Sequence, residues 1–289
     1  MKDLKLNSAI CCTSGGYKNV FTHGVLKAFE DYSMWADAYA ACSSSVLIAA
    51  YAAFKQLRTI DTTLWDEGYQ ISQKESNQSQ AMLYSINKLS DRIEDNLWLP
   101  SSSRLLIATS KVKTKEAIEV TQNERAKRQG QKLLIDALRH NSNWKNEHLE
   151  LVLFDTCTSP NTMLLSKQNF REVFYATTRM LHAWDIPACI DNVAYIDGSY
   201  TASCLIKPLV HMGYEKIVYI NTEHDKVYFD LFTTGEIPHK IKESEIEIIQ
   251  PDVCLLELGV DYYSIKEEGL EQVFLHGYEK GIEYLHKKQ

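Results

Sequence analysis

The sequence predicts an α/β sandwich, with helices on both faces of one sheet. Two observations carry this. Short apolar runs with strand character alternate along the 289 residues with segments of helical spacing. No internal repeat and no long linker interrupts the alternation, so one domain is expected over 1–289, with a helical cap or insertion at about 59–103.

The elements follow in order. LNSAICCT (6–13) reads as a buried strand running into a turn at SGGYKN. FTHGVLKAFEDY (21–32) has helical spacing through Val25, Leu26, Phe29 and Tyr32. ADAYAACS (36–43) reads as a second strand and 44–57 as a helix. Residues 59–103 are polar and helical in places, with a loop at SQKESNQSQ (72–80). RLLIATSKVK (104–113) is a strand, QKLLIDALRH (131–140) a helix and HLELVLFDT (148–156) a strand. FREVFYATTRML (170–181) is a helix, and VAYID (193–197), KIVYINT (216–222) and EIEIIQ (245–250) are strands. A closing helix is expected over 265–288.

The composition, 45% hydrophobic and 24% charged, is that of an ordinary globular protein. A net charge of −7 disfavours nucleic acid or a strongly anionic membrane as the main partner, unless a basic patch hides within the acidic total. The N-terminal MKDLKLNSAI lacks the apolar core of a signal peptide, and the longest apolar run, VLIAAYAAF (46–54), is too short to cross a bilayer. A soluble, cytoplasmic protein is expected, with peripheral membrane contact left open and the oligomeric state unknown. The seven cysteines form no CxxC pair and read as reduced, buried thiols; Cys11 and Cys12 would face opposite sides of a strand. The nine histidines form no ligand pair, so neither metal nor other cofactor is expected.

Three motifs carry chemistry. In ACSSS (41–45), Ser43 stands where a strand turns sharply into a helix, between small residues, as a nucleophile elbow requires. The alternative is that Ser43–Ser45 only cap that helix. The usual elbow has glycine two residues before and after the nucleophile; here Ala41 and Ser45 stand there, and their Cβ atoms are expected to hold strain that glycine would relieve. In TSGGYKNVFTHG (13–24), Gly15 and Gly16 free backbone amides for an oxyanion hole or a phosphate, with Lys18 adding charge; a plain turn is the alternative. It is neither a Walker loop nor a good dinucleotide fingerprint. In YIDGSY (195–200), Asp197 lies at the end of a strand, although Asp-Gly is also a common turn.

In this order, glycine loop, serine elbow and strand-end Asp-Gly resemble the patatin-like phospholipase family. HGVLKAFEDY, FYATTRMLHAWDIP (174–187) and IKPLVHMGYEKIVYIN (206–221) extend the resemblance over roughly 6–222. It implies a three-layer sandwich around a mostly parallel sheet and a lipid acyl hydrolase without cofactor. It also implies a Ser–Asp dyad. Ser43 is the implied nucleophile and Asp197 the implied base, with Gly15, Gly16 and Lys18 around the oxyanion and a lipid or acyl ester as substrate. The chain departs from the family's glycine loop at Ser14 and Asn19, from its elbow at Ala41 and Ser45, and from its Asp-Gly-Gly or Asp-Gly-Ala at Ser199.

Other readings remain open on sequence alone. The order Ser43, Asp197, then His211, His224 or His276 suits an α/β-hydrolase triad, but only one strand precedes the elbow strand. An acyl-enzyme can also pass its acyl group to another acceptor, or the pocket can bind a lipid without reacting. His23 is expected to pack locally. Trp65, Met82 and Trp98 are read either as an acyl-binding cap or as core.

Overall fold

The computed structural model describes residues 7–288. The first half holds β1 (Ser8–Cys12), α1 (Asn19–Asp31), β2 (Ala38–Cys42), α2 (Val46–Ala53), α3 (Thr63–Glu75), α4 (Ser79–Asn96), β3 (Arg104–Val112), α5 (Lys115–Thr121), α6 (Ala126–Leu138) and α7 (Asn143–His148). Then follow β4 (Leu149–Asp155), β5 (Met163–Leu164), α8 (Phe170–Thr178), β6 (Ala188–Ile190), β7 (Val193–Asp197) and α9 (Ile206–His211). The last are β8 (Lys216–Ile220), β9 (Val227–Asp230), β10 (Thr233–Gly235), β11 (Lys240–Ile241), β12 (Ser244–Ile249) and α10 (Gly269–His286).

Among the described residues, ten strands form one sheet, ordered β11-β12-β8-β1-β2-β3-β4-β5, with β7 also on β3 and β6 on β7. Its centre, β12-β8-β1-β2-β3, is parallel. Such strands are buried on both faces, which is why they read as near-continuous apolar runs. Alternation divides them between two cores. Ile10, Cys12, Tyr39 and Ala41 meet α1, α2, α4, α8 and α10, whereas Ala9, Cys11, Ala38, Ala40 and Cys42 meet α9. The fold is therefore an α/β three-layer sandwich, and Cys11 and Cys12 do face opposite sides. All seven cysteines are free; Cys157 and Cys189 are exposed, contrary to the expectation of buried thiols.

Differences from the sequence reading have local causes. The helix expected over 44–57 divides into a 3-10 turn at Ser43–Ser45 and α2, which stops where Lys55 takes a left-handed φ of 62°. All eight residues of α2 are buried, so its apolar run is a helix enclosed on every side. Segment 59–103 contains α3 and α4, which pack side by side. The closing helix starts at Gly269 because Ile265 bridges back to Val260. The hairpin β9–β10 and the short α5, α7, α9, β5, β6 and β11 were not foreseen.

The pairing along β3 positions the site. β2 runs parallel to β3 and ends with Cys42 opposite Ala108. β7 runs antiparallel along the same side of β3 and ends with Asp197 opposite Thr109. Two strands thus meet end to end, carboxyl end to carboxyl end, against one long neighbour. The residue after β2 and the last residue of β7 are brought together. Gly198 makes the junction passable, since a Cβ there would lie 2.3 Å from the Ala108 carbonyl oxygen.

Candidate active site

Ser43 occupies the turn between β2 and the 3-10 helix with a left-handed φ of 60°. A non-glycine residue costs roughly 1–2 kcal/mol in this conformation, so the surroundings must hold it. Its amide donates to Thr177 Oγ1 at 2.9 Å, and Thr177 Oγ1 donates in turn to the Ala108 carbonyl at 2.6 Å. The Ser43 hydroxyl donates to Asp197 Oδ2 at 2.8 Å.

Asp197 is fully buried. Its second oxygen, Oδ1, accepts from the Ser199 amide at 2.8 Å and the Ser199 hydroxyl at 2.7 Å. Burial outweighs these three donors and lifts the carboxyl from an ordinary 3.8 up to about 6. No histidine hydrogen-bonds Ser43 or Asp197 among the described residues. His276 accepts from the Asp252 amide, and His224 lies 3.7 Å from Asp225.

The three serines divide their work. Ser44 Oγ donates to the Gly16 carbonyl at 2.8 Å and accepts from Asn19 Nδ2 at 2.8 Å, tying the elbow to the glycine loop. Ser45 Oγ is shared between the carbonyls of Cys42 and Cys12, at 2.9 and 3.2 Å, and accepts from the Cys42 amide at 3.2 Å. Neither Ala41 nor Ser45 has a positive φ. Left-handed strain sits on Ser43, as a sharp strand-to-helix turn requires, and not on the flanks, where the missing glycines led it to be expected as well. Ala41→Gly combined with Ser45→Gly is accordingly expected to lower stability by about 2 kcal/mol, through lost hydrogen bonds and a looser strand. A denaturant midpoint equal to or above wild type would contradict this.

Gly15 and Gly16 follow β1 and line the same cavity as Ser43 and Asp197. Gly16 is left-handed at φ 55°, and the Tyr262 carbonyl lies 2.2 Å from where its Cβ would stand. That carbonyl accepts the Tyr17 amide at 3.2 Å. Lys18 does not line the cavity. Its Nζ bonds Glu223 at 3.0 Å, lies 3.6 Å from Asp261 and sits over the Tyr262 ring, 4.2 Å from its centroid. Tyr262 OH donates to the same Glu223 carboxylate. Residues 259–265 thus form a strap across the glycine loop, fastened by Lys18 and Glu223.

The cavity measures about 690 Å³, and Leu134, Leu138, Met180, Trp184, Leu231 and Phe232 give it apolar walls. Tyr263 closes one side and packs edge-on against His182, 5.1 Å away. A smaller pocket of about 60 Å³ lies behind Ser44, with Leu47, Trp65 and Met82 in its lining.

No family model matches the chain, and no curated protein matches it. Among solved structures it is similar to the crystal structure of VipD from Legionella pneumophila. The two are 11% identical with a TM-score of 0.46, over 97% of this chain and 67% of that one. The chemistry of the site rests on its own geometry.

Sequence reasoning missed Thr177, Ser199, Glu223, Tyr262 and Tyr263. Ser199 alone carried a local signal, two residues after the aspartate. His23 packs as expected: it accepts from Trp65 Nε1 at 3.2 Å, and burial lowers it to about 4, so it is neutral at pH 7. Trp98 is a packing residue, donating to the Leu165 carbonyl at 3.2 Å and lying against Phe170.

Proposed function

We propose that the protein is a serine acyl hydrolase of patatin-like type that cleaves carboxylic esters of lipids through a Ser–Asp dyad. The observation that carries this reading is the 2.8 Å hydrogen bond from Ser43 Oγ, held on a left-handed turn, to a buried Asp197 that opens on an apolar cavity. A serine hydroxyl needs a base to become nucleophilic at neutral pH. A carboxyl raised to about 6 is ionised at pH 7 yet far more basic than an ordinary aspartate.

Ser43 Oγ attacks the ester carbonyl carbon while its proton passes to Asp197. The amides of Gly15 and Gly16 receive the charge on the carbonyl oxygen, an interaction of roughly 3–4 kcal/mol per donor in such sites. Lys18 acts indirectly, by holding the loop that carries those amides. Collapse of the tetrahedral species breaks the bond to the alcohol, which leaves with the proton from Asp197. Water, deprotonated by Asp197, then releases the acyl group from Ser43. The apolar walls accommodate an acyl chain.

Hydrolysis of a panel of acyl esters, with labelling by a fluorophosphonate probe, tests this. Ser43→Ala is expected to lose both, with kcat/KM falling by about 10³-fold or more. Ser44→Ala and Ser45→Ala should keep labelling. An active Ser43→Ala protein would overturn the assignment. Labelling without any hydrolysis would redirect the acyl group to an acceptor other than water.

A further inference from the structure

The acidic total conceals a basic face beside the cavity. Residues 125–139, RAKRQGQKLLIDALR, hold five basic side chains and one acidic one, in a chain whose net charge is −7. Arg125, Lys127, Arg128, Lys132 and Arg139 are all exposed. None of them pairs with a carboxylate among the described residues, whereas Lys145, close by, is held by Asp230. The one acid, Asp136, accepts from Asn141 Nδ2 at 3.2 Å, on a half-buried side.

The helical period sorts α6 into two faces. Ala126, Gly130 and Leu133 are buried against the core that Phe232 and Tyr200 share. Lys127, Arg128, Lys132, Ile135 and Leu138 point away from it. The outward face is basic over its first turns and apolar over its last. Leu138 is 83% exposed and Ile135 50%. Leu138, with Leu134, is also part of the cavity lining that contains Ser43 and Asp197. An exposed apolar edge therefore continues directly into the reactive cavity, with unpaired cations behind it.

We propose that the outward face of α6 docks the cavity mouth onto a bilayer containing anionic phospholipid. This rests on the acyl-hydrolase reading and names the surface from which that site takes its substrate. Ile135 and Leu138 enter the headgroup–acyl boundary, while the lysines and arginines meet lipid phosphates and carboxylates. The long cationic side chains lay their methylenes along the apolar edge with their heads outward. A nucleic acid would satisfy the cations but leave both apolar side chains idle, and would bring nothing to the cavity. In a bilayer each part has a use, and an ester leaving the membrane enters beside Ser43 without crossing water.

Sedimentation with vesicles tests the proposal, using the full chain carrying Ser43→Ala so that lipid is not consumed. Vesicles of phosphatidylcholine and phosphatidylglycerol in equal parts should bind, phosphatidylcholine alone much less, and salt should weaken the difference. Lys127→Glu, Arg128→Glu and Lys132→Glu together should weaken binding about tenfold or more, and Ile135→Ser about fivefold. The triple change should regain binding when a trimethylammonium lipid replaces the phosphatidylglycerol. In an otherwise wild-type background, both variants should hydrolyse a water-soluble short-chain ester at the wild-type rate.

Equal binding to neutral and anionic vesicles, or unchanged binding by the variants, would overturn the proposal. So would tighter binding to an RNA oligonucleotide that Ile135→Ser leaves intact. Vesicle binding without hydrolysis of the soluble ester would count against the chemistry of Ser43 alone. The reverse result would count against the docking face alone.

Discussion

Asp197→Asn is expected to abolish ester hydrolysis while making the folded protein more stable at neutral pH. The carboxyl rises from 3.8 to about 6 because it is buried, so the folded state binds its proton more tightly than the unfolded chain does. The corresponding stabilisation is whole below pH 3.8 and is lost as pH rises through about 6. By pH 7 the loss is about 3 kcal/mol, from roughly two pH units at 1.36 kcal/mol each. Asparagine carries no charge there. Its oxygen keeps the two bonds from Ser199, and its nitrogen donates to Ser43 Oγ. Denaturant midpoints between pH 4 and 8 should therefore fall less steeply for the variant and lie above wild type at pH 7. Wild-type hydrolysis should follow the opposite trend, rising through about pH 6 and levelling off above it, because only the ionised carboxylate accepts the serine proton. Stability that rises with pH over this range would refute the account of the buried base.

Lys18→Met should be the most damaging change at the glycine loop. It leaves Glu223 buried without its cation and releases the strap at Tyr262. Breaking one side of a buried pair typically costs about 3–5 kcal/mol. Hydrolysis should fall with stability, because the Gly15 and Gly16 amides lose their fixed position. Adding Glu223→Gln should restore much of the midpoint, since the stranded charge is then gone. A lysine acting only as an extra charge on the oxyanion behaves differently. Its loss would lower kcat with little change in midpoint, and Glu223→Gln would rescue nothing. Urea titration of the two single variants and the double variant, with kcat and KM for each, separates these cases.

The central strands were legible because burial on both faces leaves their composition nearly unmixed, as in AICC of β1 and AYAAC of β2. Ser43 and Asp197 were legible because each stands at a strand end beside residues small enough for a sharp turn. Lys18–Glu223 was not, since its partners are 205 residues apart and nothing around Glu223 marks it as the partner of a lysine in the glycine loop. Thr177 gave no sign, because a threonine within a helix usually signals nothing beyond helix geometry. The antiparallel placement of β4 and β7 on β3 was hidden for a related reason: register depends on which strands meet, and that is a property of the whole sheet. The sharp turn predicts the strained backbone found at Ser43, whereas the added strain expected at Ala41 and Ser45 from the missing glycines finds no left-handed φ there. Ser45 fills its position with three hydrogen bonds that glycine cannot make.

The end-to-end meeting of β2 and β7 has a consequence during synthesis. Ser43 and Asp197 are separated by 154 residues, and β1, which carries the glycine loop, becomes an interior strand only when β8 pairs beside it. A ribosome adding about 5–20 residues each second needs roughly 9–35 s to pass from β2 to β8. For most of that interval, until β7 is made, the emerging polypeptide holds Ser43 without the Asp197 carboxylate that accepts its hydrogen bond. On the acyl-hydrolase reading, chains stalled or cut before Lys216–Ile220 are expected to be inactive toward esters, which an ester assay on truncated chains checks.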